Sequence, residues 1–210
     1  MNPFWLIQSG GPVVGVILLL SVYGAYVFLT RLQKVRRAVS GQDQLLEYVG
    51  GGIMSGNLLE ASANAASSDT PLGRVLATGV RNMPRGPAAV QAALESSVTR
   101  EETEATSGLS ALATIAQVSP LLGLLGTVIG LIRAFGAVSA AGGQPTLSEV
   151  AGGISLALTS TATGLVVAIT FYVAHNYLAR RVEHIMAGLD RAKPTFSGWL
   201  LQSEAPHREA

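Results

Sequence analysis

The chain has 210 residues, 49% of them hydrophobic and 13% charged, with a mean hydropathy of +0.41 and a formal net charge of +1. Soluble domains carry about a quarter of their residues as charged side chains, so this composition places the chain among membrane proteins. The charge balance leaves no footprint for nucleic acid, the lack of cysteine excludes disulfides and thiolate metal sites, and His175, His184 and His207 are too scattered to form a metal cluster.

Residues 1–30 contain no charged side chain, and Arg31, Lys34, Arg36 and Arg37 follow directly. A cleaved signal places its positive charge before the apolar run, so this order predicts a retained first span over residues 12–30. Phe4, Trp5, Leu6 and Ile7 are expected at the outer interface, where Trp is favoured.

Residues 31–108 read as a largely helical cytoplasmic region. Gly50-Gly51-Gly52 is expected to be a flexible joint. It is not a phosphate loop, because no strand precedes it and no Lys-Ser/Thr follows. Ser68-Asp69-Thr70-Pro71 is a helix start, with Pro71 suited to the first helical position. Asn82-Met83-Pro84-Arg85-Gly86-Pro87 is a break. From Ala88 onward no strong breaker precedes Pro120, and a helix continuous to Ala137 would measure about 75 Å.

The second span is expected over 109–137, the third over 150–179, with an outer loop at 138–149 carrying Gly142, Gly143 and Pro145. Residues 1–11 form an outer segment and 180–210 a tail with a short amphipathic stretch through Ile185 and Leu189, then Pro194. Of the 14 Lys and Arg residues, 13 lie at 31–100 or 180–210 and Arg133 is the exception. The positive-inside rule then sets the N-terminus outside and the C-terminus inside. Arg133, near the outer end of the second span, is expected to snorkel toward headgroups, the alternative being a contact at a pore mouth or with a partner. The expected fold class is therefore an all-α membrane protein with three spans, the second and third continuing into the cytoplasm.

Ser119, Gly123, Gly126, Thr127 and Gly130 share one side of the second span, a small-residue stripe of the kind that lets helices approach closely. The expected contact is between copies of this helix, with a bend at Pro120. The third span holds Ser155, Thr159, Ser160, Thr161, Thr163 and Thr170 without a single Asp, Glu, Lys or Arg. Ser155, Thr159, Thr163 and Thr170 follow one stripe, and Thr161 lies nearly opposite with Ala157, Gly164 and Ala168. A lone membrane Thr usually bonds its own helix carbonyl; six hydroxyls in one span are more than that habit explains. Thr127 and Thr161 come to similar depth by helical rise, so a ring of both would line a narrow polar constriction.

These residues carry a resemblance. SPLLGLLGTVIGLIRAF from Ser119 to Phe135, followed by GISLALTSTATGL from Gly153 to Leu165, resembles the MotA/TolQ/ExbB proton-channel family. The three-span layout is closer to ExbB and TolQ than to the four-span flagellar member. The resemblance implies a ring, typically a pentamer, around the single-span helices of two ExbD-, TolR- or MotB-like partner chains, and proton-driven work on the cell envelope. It implies pore roles for Thr127 and for Thr161, the latter near the partner's proton-carrying Asp, with Ser155, Thr159 and Thr163 as further channel-lining candidates and Gly123, Gly126, Gly130 and Gly164 as packing residues. Where ExbB and TolQ usually have a Glu, five residues before the threonine, this chain has Leu156. A gliding-type or other specialised motor of the same family is the alternative within it.

Hydroxyls relay water wires but do not titrate near neutral pH, and no span carries a carboxylate, with Glu149 only at the outer entrance and His175 near the inner end. The titrating acid is therefore expected on a partner chain. A solute transporter would show broken helices and internal repeats. A structural scaffold would account for the glycines but not the hydroxyls, and no nucleophile–base set suggests an enzyme. No cofactor is expected, and the implied location is the bacterial inner membrane.

Overall fold

The computed structural model describes residues 3–39, 42–141 and 147–204. Among them the secondary structure is helical, in the order α1 (Pro3–Val39), α2 (Gln42–Met54), α3 (Leu58–Ser67), α4 (Pro71–Asn82), a 3-10 turn (Met83–Arg85), α5 (Pro87–Thr106), α6 (Leu109–Ala140) and α7 (Leu147–Glu204). The chain divides into an apolar unit, residues 1–30 and 108–177, and a polar unit, residues 31–107 and 178–210. The side chains of Phe4, Trp5, Leu6, Ile7 and Glu149, the glycines and proline of the outer loop, and His207 lie outside the described residues.

The apolar unit is three packed helices. Within α1, Gly11 has φ 64°, a left-handed conformation that costs glycine nothing, and the helix is kinked there before resuming at Pro12. Val14 and Ile17 are buried beyond the kink, and Gly24 leaves room for the Phe171 ring and Ile115. On α6 the buried residues Leu112, Ile115, Ser119, Gly123, Gly126, Gly130 and Ala134 recur every three or four positions and form one face. Outward, Leu121, Leu124, Val128, Ile132 and Phe135 of α6 and Leu158, Val166, Ile169 and Val173 of α7 are exposed. An apolar exterior around small-residue contacts is the arrangement that acyl chains solvate. Three helices are long and apolar enough to cross a membrane, and the protein is a multi-pass membrane protein.

The polar unit closes around Ile53, Leu72, Leu76, Val90, Leu94, Leu189 and Phe196. Thr70 caps α4, its Oγ1 accepting from the Gly73 N–H at 3.1 Å, with Pro71 in the first turn. The break after Asn82 is the 3-10 turn ending at Gly86.

Three expectations are corrected. Gly50-Gly51-Gly52 is no joint but part of α2. A Cβ at Gly50 would lie 2.6 Å from the Trp199 ring, and one at Gly52 2.9 Å from the Ala61 Cβ, so these glycines admit close neighbours. The helix from Ala88 does not run unbroken to Ala137. Ser107 turns extended (ψ 130°) and Gly108 takes φ 85°, which ends α5 and starts α6; α6 then passes through Pro120 as helix. The amphipathic stretch does not stop at Pro194: α7 runs 58 residues to Glu204, because burial of Ala192, Phe196 and Leu200 outweighs one lost backbone hydrogen bond.

Candidate functional site

The seam between α6 and α7 is built from small residues on both sides. A Cβ at Gly130 would meet the Gly153 carbonyl at 2.6 Å and the Ala157 Cβ at 2.8 Å, and one at Gly164 would meet the Ser119 carbonyl at 2.6 Å. At Gly123 the same test meets the Ser160 carbonyl at 3.1 Å, and at Gly126 it collides with the Ser160 side chain. The glycine face was expected between copies of the second span; it lies instead against the third span of its own chain. The matching stripe on α7, Gly153, Ala157, Ser160 and Gly164, has the same three- and four-residue spacing. Ser160 and Gly153 were absent from the expected packing set, and that spacing was the available signal.

Thr127 and Thr161 sit at the edge of this seam, both half-buried, their Oγ1 atoms 3.3 Å apart. Thr161 donates to the Gly123 carbonyl across the seam at 3.1 Å, while Thr127 bonds the Leu124 carbonyl of its own helix at 2.7 Å. Each hydroxyl has one proton and two lone pairs. The pair therefore keeps acceptor capacity for a further donor without any chain movement. The helices meet here with no charged side chain, so the site is polar but fixed in charge.

Three of the other hydroxyls are bonded within α7 itself. Ser160 bonds the Leu156 carbonyl at 2.6 Å, Thr163 the Thr159 carbonyl at 2.8 Å and Thr170 the Val166 carbonyl at 2.8 Å, each within its own helix. The common membrane-threonine habit thus accounts for three of the six. Thr161 donates instead to the neighbouring helix. Ser155, Thr159 and Thr163 lie on the α7 face away from the seam, with Ser155 exposed and the other two half-buried, so they do not join the Thr127–Thr161 pair. Leu156 is buried, 6% exposed, and its Cδ1 lies 3.0 Å from where a Gly11 Cβ would be. That position faces α1 in an apolar contact. Arg133 is exposed, its guanidinium 3.9 Å from the same point at Gly11, and His175 is half-buried near the end of the apolar stretch of α7.

A family model described as the MotA/TolQ/ExbB proton channel family matches residues 67–191, which include both threonines and the whole glycine seam. The chain belongs to this family. Among solved structures, it is similar to a chain from the structure of C. jejuni MotAB, with a TM-score of 0.65 over 96% of this chain and 81% of that one, at 16% identity. That likeness is one of fold. A search of curated proteins found no match. Among the described residues no group of three His, Cys, Asp or Glu could hold a metal ion.

Proposed function

We propose that this family member is the ring-forming subunit of a proton-driven motor in the bacterial inner membrane, an ExbB/TolQ-like chain working through an ExbD/TolR-like single-span partner. The observation that carries the reading is the Thr127–Thr161 hydroxyl pair, set between two helices that hold no carboxylate. A hydroxyl passes a proton along a water wire but does not store one near neutral pH. The stored proton then belongs to an Asp on the partner. Protonated from outside, that carboxyl is neutral and passes the apolar wall; it releases the proton inward after the helices shift. Each proton supplies about 2.3 kcal/mol per 100 mV of membrane potential, so a few together bias a mechanical step.

In this reading the polar unit is cytoplasmic, the N-terminus is outside, and the copies assemble as a pentamer. Family membership supports the ring and the partner, and the Lys/Arg distribution supports the orientation.

The test is proton flux in vesicles holding the chain with and without its single-span partner. Thr127→Val and Thr161→Val are each expected to cut partner-dependent flux at least tenfold, with the assembled ring unchanged in size. Wild-type flux in both variants, or full flux from the ring alone, overturns the proposal.

A further inference from the structure

The polar unit contains a cavity of about 240 Å³ whose wall includes Arg31, Lys34, Arg37 and Arg74, with apolar contributions from Val35 and Ile185. Three carboxylates also line it, and each is already engaged. Glu101 accepts two hydrogen bonds from Arg74, at 2.8 and 2.6 Å. Asp69 pairs with Arg74 at 3.3 Å, and Glu104 with Lys34 at 3.2 Å. Among the described residues the remaining two cations form no ion pair. Among the described residues Arg31 donates to the Glu104 carbonyl at 3.1 Å and the Ser107 hydroxyl at 2.7 Å, with the Glu104 carboxylate close enough to feel its charge. Arg37 is exposed and, among the described residues, has no carboxylate within ion-pair reach. Arg37 therefore keeps unspent guanidinium donors, in a cavity whose four cations outnumber its three carboxylates. Guanidinium groups suit phosphate because their planar fork matches two oxygens at once.

The position of these cations along α1 names the source of that phosphate. The charge-free stretch from Pro12 to Thr30 spans about 28 Å of helix, close to the roughly 30 Å of bilayer hydrocarbon. Arg31 then stands at the hydrocarbon edge, and Arg37 follows about 9 Å further along. The headgroup layer on one side is about 5–8 Å deep. Arg31, Lys34 and Arg37 thus run from the hydrocarbon edge through the headgroup layer.

From this we infer that the cavity is a binding site for the phosphate group of an anionic phospholipid in the adjoining leaflet, with Arg31 and Arg37 as its principal donors. Clustered Lys and Arg beside a span attract anionic lipid in general; here the cavity selects which of them do so. Arg36 is the internal comparison, because it lies next to Arg37 on the same helix, is likewise exposed, and does not line the cavity.

The experiment follows the thermal unfolding of the full-length chain in mild detergent during titration with phosphatidylglycerol, phosphatidylcholine or inorganic phosphate. Phosphatidylglycerol is expected to raise the melting temperature saturably, and phosphatidylcholine to leave it unchanged. Arg37→Gln, at a side chain that makes no contact needed for folding, is expected to weaken the phosphatidylglycerol response about fivefold, the effect of one juxtamembrane cation. Arg36→Gln is expected to leave it within twofold. Equal losses in the two variants, or no response to phosphatidylglycerol, overturn the site. A response to inorganic phosphate as strong as that to phosphatidylglycerol overturns the lipid as its source.

Discussion

At the scale of single residues, the polar unit relies on a few charges whose settings differ sharply. Glu101 is 5% exposed and bound twice by Arg74, whose guanidinium is thereby held even further toward its charged form, chiefly by that hydrogen bond. Glu101→Gln leaves the guanidinium without its charged partner, and a loss of about 2 kcal/mol is expected, the usual size for a hydrogen bond to a charged group. In a double-mutant cycle with Arg74→Met, urea unfolding of the chain in detergent should show the two changes to be strongly non-additive. Glu104 is the exposed counterpart. The hydrogen bond from Lys34 and its nearby charge hold the Glu104 carboxyl below its ordinary value of 4.5. With the folded pKa below the unfolded one, the stabilisation is present above about pH 4.5 and disappears as pH falls through the depressed value. Melting followed from pH 6 downward should lose a small acid-sensitive component in Lys34→Met, and high salt should mask it in the parent chain.

At the scale of the element, glycine means different things on one helix. Gly130 and Gly164 admit the backbone of the opposite helix, and a methyl group there meets main-chain oxygens that cannot move aside. Gly136 on α6 and Gly51 on α2 face open space within 4 Å. Gly130→Ala and Gly164→Ala are therefore expected to destabilise by about 1–3 kcal/mol through overpacking. Gly51→Ala should stabilise by about 0.5–1 kcal/mol, since Ala is the better helix former where nothing is crowded. Melting temperatures of the four Ala variants, Gly136→Ala included, decide the matter. A stable Gly130→Ala chain would show that α6 and α7 separate without cost. The same seam sets the Thr127–Thr161 distance, so its glycine variants should also lower partner-dependent proton flux.

At the scale of the whole molecule, α7 is shared. Its first part belongs to the apolar unit and the part from Leu178 belongs to the polar unit, where Leu189, Ala192, Phe196 and Leu200 enter the core. Phe196 is fully buried, with its ring 5.9 Å from that of Trp199 and its edge against Gly79. The C-terminal stretch is therefore a structural part of the unit and no loose tail. A chain ending at Asp190 is expected to lose the protease resistance of residues 42–106 while keeping its membrane insertion, because it removes three core side chains at once. Phe196→Ala alone should cost about 3–5 kcal/mol. Limited proteolysis in detergent reads both; intact resistance in the truncated chain would show that α2–α5 hold together unaided.

The amino-acid sequence by itself determined the helical class, the three apolar stretches, the start at Thr70, the break after Asn82 and the two motifs around Thr127 and Thr161. Each of these is local: hydropathy over about 20 residues, a capping side chain, a proline, or a run of small residues leaves its mark on the chain segment that carries it. What α6 and α7 do with their small faces was not local. Residue spacing shows that a face is thin, but the partner that fills it comes from elsewhere in the chain, and here it was the third span rather than a second copy of α6. The same reason explains Gly50 under Trp199, Pro194 carried through a helix by buried neighbours, and Arg31 and Arg37 beside a cavity whose carboxylates come from the α3–α4 connection and from α5. Tertiary structure decided these because each depends on which distant segments share the same small volume.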